Sequence, residues 1–253
     1  RHALSNSIKE AKKPIIILGQ SALSSNSGKY IFESIKSFLK KNNKINPNWN
    51  SLNIISENAS TVGSFDLGIF DSNNGSNELL DNLKKHKYKL VFLLGQDRLK
   101  FKKENEFIIY QGSHGDKGAE IADIILPGSA YTEQDGYFTN LEGKLQKAYK
   151  ASYPPGDAKE DWQIINDLAD AINGKKLFNN KDQLQSSLLN YLNLFIEKNS
   201  SKNHTDIQDL VFNSEKIKIN NIDYYYSNSI ARASMTMSEC RNEKINISST
   251  GTE

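Results

Sequence analysis

The glycine-rich segment Gln111–Gly118 (QGSHGDKG) holds the residues of this chain whose types and spacing are best suited to chemistry. Three glycines among eight residues, directly after an apolar run, permit the positive φ angles and close backbone approach that a phosphate-binding loop requires. His114, close to Asp116, has the composition of a base oriented by a carboxylate. The segment is neither a GxGxxG fingerprint in register nor a Walker loop, so an ordinary strand-to-helix turn with a surface histidine is the alternative.

Other candidate groups are more scattered. Glu133, Asp135 and Glu142 form a carboxylate-rich stretch that could serve acid–base chemistry or hold a metal, or simply face solvent on a turn. Tyr224–Tyr226 could stack on bases or pack in a core, and Cys240 could be a nucleophile or a small buried hydrophobe. No nucleophile is paired with a base, so the residues by themselves predict no catalytic constellation.

Composition narrows the function classes. The 253 residues are 37% hydrophobic and 25% charged, and the formal net charge of +2 does not favour nucleic acid or an anionic membrane as a partner. A single cysteine can form no internal disulfide and cannot ligate an iron–sulfur cluster, which needs about four ligands. The apolar runs are far shorter than the ~20 residues of a membrane span, so we expect no direct membrane contact.

The elements that must position these groups are short, branched apolar runs and amphipathic helices. Because strands of a parallel sheet are apolar on both faces, such runs predict buried parallel strands. They are Pro14–Leu18, Leu52–Ser56, Lys89–Gly95, Phe107–Tyr110 and Ala122–Leu126. Ligands of open α/β sheets bind at the carboxyl ends of the strands, where Gln111–Gly118 lies. The predicted fold class is α/β, with an open, mostly parallel sheet, flanking helices and a helical C-terminal region.

Helical spacing, turns and polar stretches complete the prediction. We expect helices over Ser24–Lys41, Glu78–Lys87, Asp182–Lys198 and Ser227–Cys240 and a hairpin over Tyr137–Tyr149. We expect a polar loop over Asn42–Asn50, a polar linker over Asn199–Asp206, a β-like stretch over Ile217–Ile219 and a frayed tail over Ser248–Glu253. A further helix, capped by Asp157 and ended by Gly174, carries the apolar stripe Trp162, Ile165, Leu168, Ala169 and Ile172. The predicted domains are residues 1–153, α/β with the hairpin, and residues 154–253, a helical region that packs on it.

Several motifs, taken in order, resemble one family. YQGSHGDKGAEIADIILPGSAYTEQDGYFTNLEGKLQ and then PPGDAKEDWQIINDLAD closely resemble the large iron–sulfur core subunit (75 kDa) of respiratory complex I, NADH:ubiquinone oxidoreductase. EAKKPIIILGQSAL near the start, LNIISENAS and KLVFLLGQD in the middle and SNSIARASMTMSEC near the end resemble the same family. Nearly the whole chain is covered, with the weakest likeness over residues 173–216.

The resemblance implies a fold and a role. It is to the carboxy-terminal half of that family, whose fold is similar to molybdopterin oxidoreductases but which is generally free of cofactor. We therefore expect a structural, non-redox portion of the peripheral arm, which scaffolds NADH-to-ubiquinone electron transfer with no catalytic or metal-binding residue in this chain. The iron–sulfur clusters are expected in the amino-terminal half, which this chain lacks. A vestigial pocket or an interface is expected at Gly112, Ser113, His114, Gly115, Asp116 and Gly118.

Partners and location follow from the same resemblance. The expected partners are the cluster-bearing half of the subunit and other subunits of the peripheral arm, with the loops around Gly112–Gly118 at the docking surface. The expected location is the matrix side of the mitochondrial inner membrane, or the cytoplasmic face of a bacterial plasma membrane. Because the chain resembles only the half without clusters, we expect either a subunit encoded in two pieces or a trimmed longer chain. Of 32 basic residues 28 are lysine, a skew typical of AT-rich organelle genes, which fits a mitochondrial source and a subunit encoded in two pieces.

Two alternatives belong to enzyme classes. In a fragment of a catalytic molybdopterin oxidoreductase, Gly112–Gly118 and Thr132–Glu142 would line a pterin. The closing motif SIARASMTM favours complex I, with which we associate it. A nicotinamide-binding domain is disfavoured because Gln20–Ser25, after the first strand, lacks the second and third glycines of the fingerprint.

Overall fold

A computed structural model describes residues 3–59, 61–69, 75–97, 99, 102–199, 210–214, 216 and 223–249. The chain divides into two compact units. The first comprises Arg1–Leu67, Phe138–Gln146 and Leu192–Asn221, and the second comprises Gly68–Tyr137, Lys147–Tyr191 and Ile222–Glu253. The predicted division into residues 1–153 and 154–253 stays a prediction.

Short strands alternate with helices along most of the chain. The strands are β1 Ile16–Gly19, β2 Ile45–Asn46, β3 Trp49–Asn50, β4 Leu52–Ile55, β5 Leu90–Leu94, β6 Phe107–Gly112, β7 Ile124–Pro127, β8 Gly136–Thr139 and β9 Leu145–Ala148. The helices are α1 Ala3–Glu10, α2 Gln20–Leu23, α3 Gly28–Lys41, α4 Thr61–Asp66, α5 Gly75–Lys84, α6 Lys117–Glu120, α7 Asp161–Asn173, α8 Lys181–Asn199, α9 Ser229–Ala233 and α10 Met235–Ser249. A 3₁₀ turn, Tyr224–Tyr226, precedes α9. The α/β class is confirmed.

The first unit contains a parallel pair of strands. Strand β1 pairs with β4, with Ile16 opposite Leu52, and α3 contacts β4. Leu18 and Leu39 are buried there. The predicted polar loop Asn42–Asn50 was wrong in part, because it folds into the antiparallel pair β2–β3. Trp49 stabilises this turn, since its indole N–H donates to the carbonyl of Pro14 at 3.0 Å.

The second unit contains a three-stranded parallel sheet in the order β5-β6-β7. Leu90 lies opposite Phe107 and Ile109 lies opposite Ile124. One face of this sheet carries Leu93, Ile108 and Tyr110, which form a buried cluster. Besides Val91 of β5, the residues packed on that cluster come from the two connections of the sheet: Leu99, Ala119, Ile121 and Ala122. The core of the unit therefore lies between this face and its own crossovers.

The opposite face of the same sheet is only partly covered by the described residues. We call it the open face, and it consists of Leu90, Phe92, Leu94, Phe107, Ile109, Gln111, Ile124 and Leu126. The sequence predicted strands buried on both faces, and within the described residues Leu90, Leu94, Phe107 and Ile124 of this face are exposed. Burial needs a second layer of structure, and the connections of the sheet supply only one.

The predicted hairpin is confirmed. Strands β8 and β9 pair as a two-stranded sheet, and Gly143 in the turn has a φ of +79°, a conformation that favours glycine. The side-chain carbonyl of Asn140 accepts from the backbone N–H groups of Glu142 and Lys144 at 3.0 and 2.9 Å. This asparagine supplies the local hydrogen bonds that close the turn.

Helix α7 begins later than predicted. Its N-cap is Glu160 rather than Asp157, and Gly174 ends it in the left-handed conformation as predicted. The reason lies in the preceding segment, which runs beside the end of β7. The N–H of Lys159 donates to the carbonyl of Pro127, and its own carbonyl accepts from Ser129, at 3.1 and 2.9 Å. Backbone engaged in these bonds is extended and cannot start a helix.

The buried side of α7 also differs from the predicted stripe. Ile164 and Asn166 are buried, whereas Ile165 and Ile172 are exposed. The amide of Asn166 makes two hydrogen bonds of 2.9 Å with the backbone of Phe178, which turns this side of the helix onto the following loop. The polar residue Asn166 is therefore buried, although the spacing of the apolar residues predicted that Ile165 and Ile172 would be.

The remaining helices lie close to their predicted places. Helices α3, α5 and α8 overlap the predicted ranges, and the predicted Ser227–Cys240 forms two helices, α9 and α10. The predicted linker Asn199–Asp206 begins with the last residue of α8, and its other residues lie outside the described ones. Ile217–Ile219 and the last four residues of the predicted frayed tail also lie outside them. The first two residues of that tail, Ser248 and Ser249, are the end of α10, so the prediction was wrong for them.

Candidate functional site

The candidate site surrounds Tyr110, at the carboxyl end of β6. We call Asp97, Tyr110, residues 112–118 and Arg232 the strand-end cluster. Tyr110 is 2% exposed, and its hydroxyl donates to Oδ1 of Asp97 at 2.6 Å. The hydroxyl oxygen of Tyr110 also lies 2.8 Å from the carbonyl oxygen of His114. Asp97 follows β5 and is 5% exposed, so two strand ends are joined through a buried tyrosine.

The glycines of the loop make room for this tyrosine. A β-carbon added at Gly112 would lie 2.6 Å from Cζ of Tyr110. One added at Gly118 would lie 2.6 Å from the backbone oxygen of Gln96 and 2.9 Å from the Tyr110 ring. Non-bonded carbon atoms prefer separations of about 3.5–4.0 Å. The close backbone approach that glycine spacing predicted is therefore an approach to the chain's own aromatic ring.

Arg232 connects the C-terminal motif to both strand ends. It lies in the last turn of α9, whose N-cap Asn228 accepts from the N–H of Ala231 at 2.9 Å. The guanidinium Nε donates to Oδ2 of Asp116 at 2.8 Å, and Nη2 donates to Oδ2 of Asp97 at 3.3 Å. Sequence reasoning missed this residue. Its signal was rarity, because arginine is one in eight of the basic residues here.

Asp116 is the charged centre of the loop. Burial alone would raise the pKa of its carboxyl, but the N–H of Lys117 and the guanidinium of Arg232 outweigh burial and hold the pKa below its ordinary range. The carboxylate also caps α6, since it accepts from Lys117 at 2.8 Å. Its oxygens therefore serve the fold of the loop.

The other predicted loop residues lie nearer the surface. The hydroxyl of Ser113 is 2.9 Å from Nδ1 of His114, and Ser113 and Gly115 are exposed. His114 contacts Ser113, while Asp116 pairs with Lys117 and Arg232. The expectation that Gly112–Gly118 form a vestigial pocket or an interface stays a prediction.

The three carboxylates weighed for acid–base or metal chemistry each have a local partner. Glu133 accepts from the N–H of Ala130 at 2.9 Å, and Glu142, in the turn of the hairpin, accepts from the side-chain amide of Asn140 at 3.5 Å. Asp135 accepts from the N–H of Lys150 and from Nζ of Lys181, which hold the pKa of its carboxyl below the ordinary value. Among the described residues, no group of three or more histidine, cysteine or acidic side chains could hold a metal ion.

The motif PPGDAKEDW contributes a second polar network in the same unit. The carboxylate of Asp161 accepts from the amide nitrogens of Gln111 at 2.8 Å and Gln134 at 3.0 Å. Glu160 accepts from Trp162 at 3.0 Å and from Lys181. The carbonyl oxygen Oε1 of Gln111 is buried and has no partner among the described residues. These residues tie β6 to the start of α7, and sequence reasoning had used them only as family motifs.

The strand-end cluster offers a test at high pH. Burial, followed by the hydrogen bond to Asp97, raises the pKa of the Tyr110 hydroxyl above its ordinary value of about 10. The unfolded chain therefore releases this proton first, so stability falls as pH rises above about 10. We expect Tyr110→Phe to cost about 2 kcal/mol at pH 7.5, because a hydrogen bond to a buried carboxylate is lost, and to flatten the alkaline decline.

Urea unfolding at pH 7.5 and 10.5 measures both effects. Tyr153→Phe is the matched control, because Tyr153 is exposed and its change should leave both the stability and its slope unaltered. An alkaline decline that is equally steep in Tyr110→Phe would refute the assignment.

The cofactors of related families can be compared with these residues. The loop groups that could hold a pterin, the Tyr110 hydroxyl and the Asp116 carboxylate, are engaged with Asp97 and Arg232, and two of the three glycines face the Tyr110 ring. These two groups and these two glycines are therefore not available to a pterin. An iron–sulfur cluster needs about four thiolates, and Cys240 is the one cysteine of the chain, so its own residues do not fit a cluster.

Comparisons with known proteins complete the description. The sequence profile of the molybdopterin oxidoreductase family matches residues 1–171. The chain is 38% identical over 251 residues to the NADH-ubiquinone oxidoreductase 75 kDa subunit of Reclinomonas americana. The aligned region covers 95% of this chain and 36% of that relative. The chain is also 38% identical over 261 residues to a bacterial relative, an NADH-quinone oxidoreductase subunit of Rickettsia bellii, covering 99% and 36%.

A third relative is the mitochondrial NADH-ubiquinone oxidoreductase 78 kDa subunit of Candida albicans, at 35% identity over 250 residues, which covers 91% of this chain and 33% of the relative. The chain thus spans about a third of the length of these relatives. In the described part of the chain, no helix has both the length and the hydrophobicity of a membrane span.

Proposed function

This chain belongs to the molybdopterin oxidoreductase family, and from its similarity to the 75 kDa subunits of NADH–ubiquinone oxidoreductase we propose that it is the structural, non-redox portion of such a subunit. In this role it contributes to NADH-to-ubiquinone electron transfer without a catalytic residue of its own. It scaffolds the portion that carries the iron–sulfur clusters.

One observation carries the proposal. The loop at the carboxyl end of β6, where ligands of open α/β sheets bind, is closed over the ring of Tyr110 and held by Arg232. Tyr110, Asp97, Asp116 and Arg232 use their polar groups on one another. Such a network supports the rigidity of the sheet rather than a bound substrate.

The proposed partners are the cluster-bearing portion of the same subunit and neighbouring subunits of the peripheral arm. The similarity to a mitochondrial 78 kDa subunit and to bacterial NADH-quinone oxidoreductase subunits supports a place in such an enzyme. We propose the matrix side of the mitochondrial inner membrane as the location, or the cytoplasmic face of the plasma membrane if the source is bacterial.

Native electrophoresis of detergent-solubilised membranes tests this role. We expect peptides of this chain in the band that oxidises NADH in the gel, at a molar ratio near one to the cluster-bearing portion. A denaturing second dimension, read by mass spectrometry, separates a chain held noncovalently from one that continues into cysteine-rich sequence. Absence of the peptides from that band would refute the proposal.

A second candidate is a fragment of a catalytic molybdopterin oxidoreductase. It is favoured by the family match over residues 1–171. Metal analysis of the purified native complex discriminates the two. Molybdenum or tungsten that migrates with this chain would support the enzyme, whereas iron with neither metal would support the structural role.

A further inference from the structure

We infer that the open face of the β5-β6-β7 sheet binds one amphipathic α-helix from the part of the subunit that the relatives have and this chain does not span. Four large apolar side chains carry the inference: Leu90, Leu94, Phe107 and Ile124 are 58%, 59%, 46% and 43% exposed. The inference rests on the proposed function, because it takes the rest of that subunit as the partner.

The topology of the sheet explains why this face needs a partner. The strands lie in chain order and run parallel, and right-handed crossovers between such strands all lie on one face. Leu99 from the first connection and Ala119 and Ile121 from the second pack on the opposite, buried face. The connections of this sheet therefore do not cover the open face. Helix α7 lies at one corner of it, where Asp161 accepts from Gln111 and where Ile164 and Leu168 line a cavity with Leu126. Leu90, Leu94, Phe107 and Ile124 are the residues of the face that stay exposed among the described residues.

The composition of the open face indicates that it is covered in the assembled protein. Opposite residues form rows across the strands: Leu90 with Phe107, then Phe92 with Ile109 and Ile124, then Leu94 with Gln111 and Leu126. The rows contain no charged side chain, and their one polar residue, Gln111, is buried with its amide on Asp161. Contiguous apolar surface of this kind marks an interaction site.

Size and strand direction indicate a helix. Parallel sheets are covered by helices on both faces in almost every known case. Five residues of strand span roughly 16 Å and three strands span roughly 10 Å between the outer two, which matches one helix of about eleven residues. Such a helix would present apolar residues at positions i, i+3, i+4 and i+7.

The source of this helix follows from the length of the relatives. The chain covers 36% of the 75 kDa subunit to which it is 38% identical, so about two thirds of that protein is available to supply the second layer. A second copy of this chain would instead place two parallel sheets face to face.

Hydroxyl-radical footprinting of the isolated chain and of the NADH-oxidising complex tests whether the face is covered. We expect oxidation of Leu90, Leu94, Phe107 and Ile124 to fall at least fivefold in the complex. Tyr153 and Ile172 are exposed apolar residues outside the open face and are the internal controls. Equal oxidation of the four residues in both samples would overturn the inference, while presence of the chain in that complex would leave the proposed function standing.

A photo-reactive benzoylphenylalanine at position 94 or 107 then identifies the occupant. The expected product joins this chain to a segment of the cluster-bearing portion with apolar residues at helical spacing. A product with a second copy of this chain, with lipid or with an unrelated subunit would refute the stated occupant. The same probe at position 153 should not give the product.

Discussion

Replacing Gly112 with alanine will destabilise the folded chain by about 3 kcal/mol, and the same change at Gly115, three residues along the loop, will alter stability by less than about 0.5 kcal/mol. Both positions are glycines of the same segment, and neither has a positive φ. They differ in what a β-carbon meets. At Gly112 it would lie 2.6 Å from Cζ of Tyr110, and at Gly115 its nearest neighbour is Cβ of Ala119 at 4.0 Å.

The free energy of unfolding lost in Gly112→Ala is large because the side chain of Tyr110 is held in place. Its ring is 2% exposed, packs with Leu93 and Ile108, and is tethered to Asp97 through its hydroxyl. Relief of the overlap would require a shift of the buried ring or loss of that hydrogen bond. Overpacked cores lose about 1–3 kcal/mol for this reason.

Urea unfolding of the three glycine variants measures the effect. Gly118→Ala should resemble Gly112→Ala, because its β-carbon would meet a backbone oxygen at 2.6 Å as well as the same ring. Equal stabilities at positions 112 and 115 would contradict the role assigned to Tyr110. They would return the loop to the phosphate-binding interpretation, in which the glycines serve a ligand.

Replacing Arg232 with alanine will cost about 3 kcal/mol at neutral pH. The side chain is mostly buried and pairs with Asp97, which is 5% exposed. Without the guanidinium, the buried carboxylate of Asp97 still accepts a hydrogen bond from the Tyr110 hydroxyl but has lost its ion pair with Arg232. Removing one partner of a buried ion pair costs about 3–5 kcal/mol, and the partial exposure of Asp116 places this case at the lower end.

Arg241→Ala is the matched control. Arg241 pairs with Asp223 at 2.6 Å, but both side chains are about one third exposed, so its loss should cost less than about 1 kcal/mol. The two arginines lie nine positions apart in the same C-terminal region, so a general loss of positive charge affects both variants alike.

The acid dependence of stability gives a second readout for Arg232. The pKa of Asp116 is lowered in the folded chain, so its contribution is complete above the unfolded pKa of about 3.9 and is lost as pH falls through the folded pKa. The stability difference between the wild type and Arg232→Ala should therefore shrink below about pH 4. A difference that stays constant from pH 7 to pH 3 would argue that Arg232 acts by packing alone.

Much of the fold could be read from local patterns. The apolar runs at 89–95 and 107–110 became β5 and β6, and Glu142–Gly143 marked the hairpin turn, because strand and turn chemistry act between residues close in the chain. The start of α7 could not be read in the same way. Asp157 is a good cap by composition, but the backbone beside it is engaged with Pro127 and Ser129, thirty residues earlier.

The candidate site, like the fold, was predictable from the sequence only in part. The sequence determined the α/β class, the family, and the place of a glycine-rich loop at the end of a strand, because periodicity and motif order are properties of the chain alone. Only the tertiary structure decided what the glycines approach, that Arg232 joins Asp97 to Asp116, and which face of the sheet stays open. Asp97 and Arg232 are separated by 135 positions, and no local pattern records a contact that folding creates between distant segments.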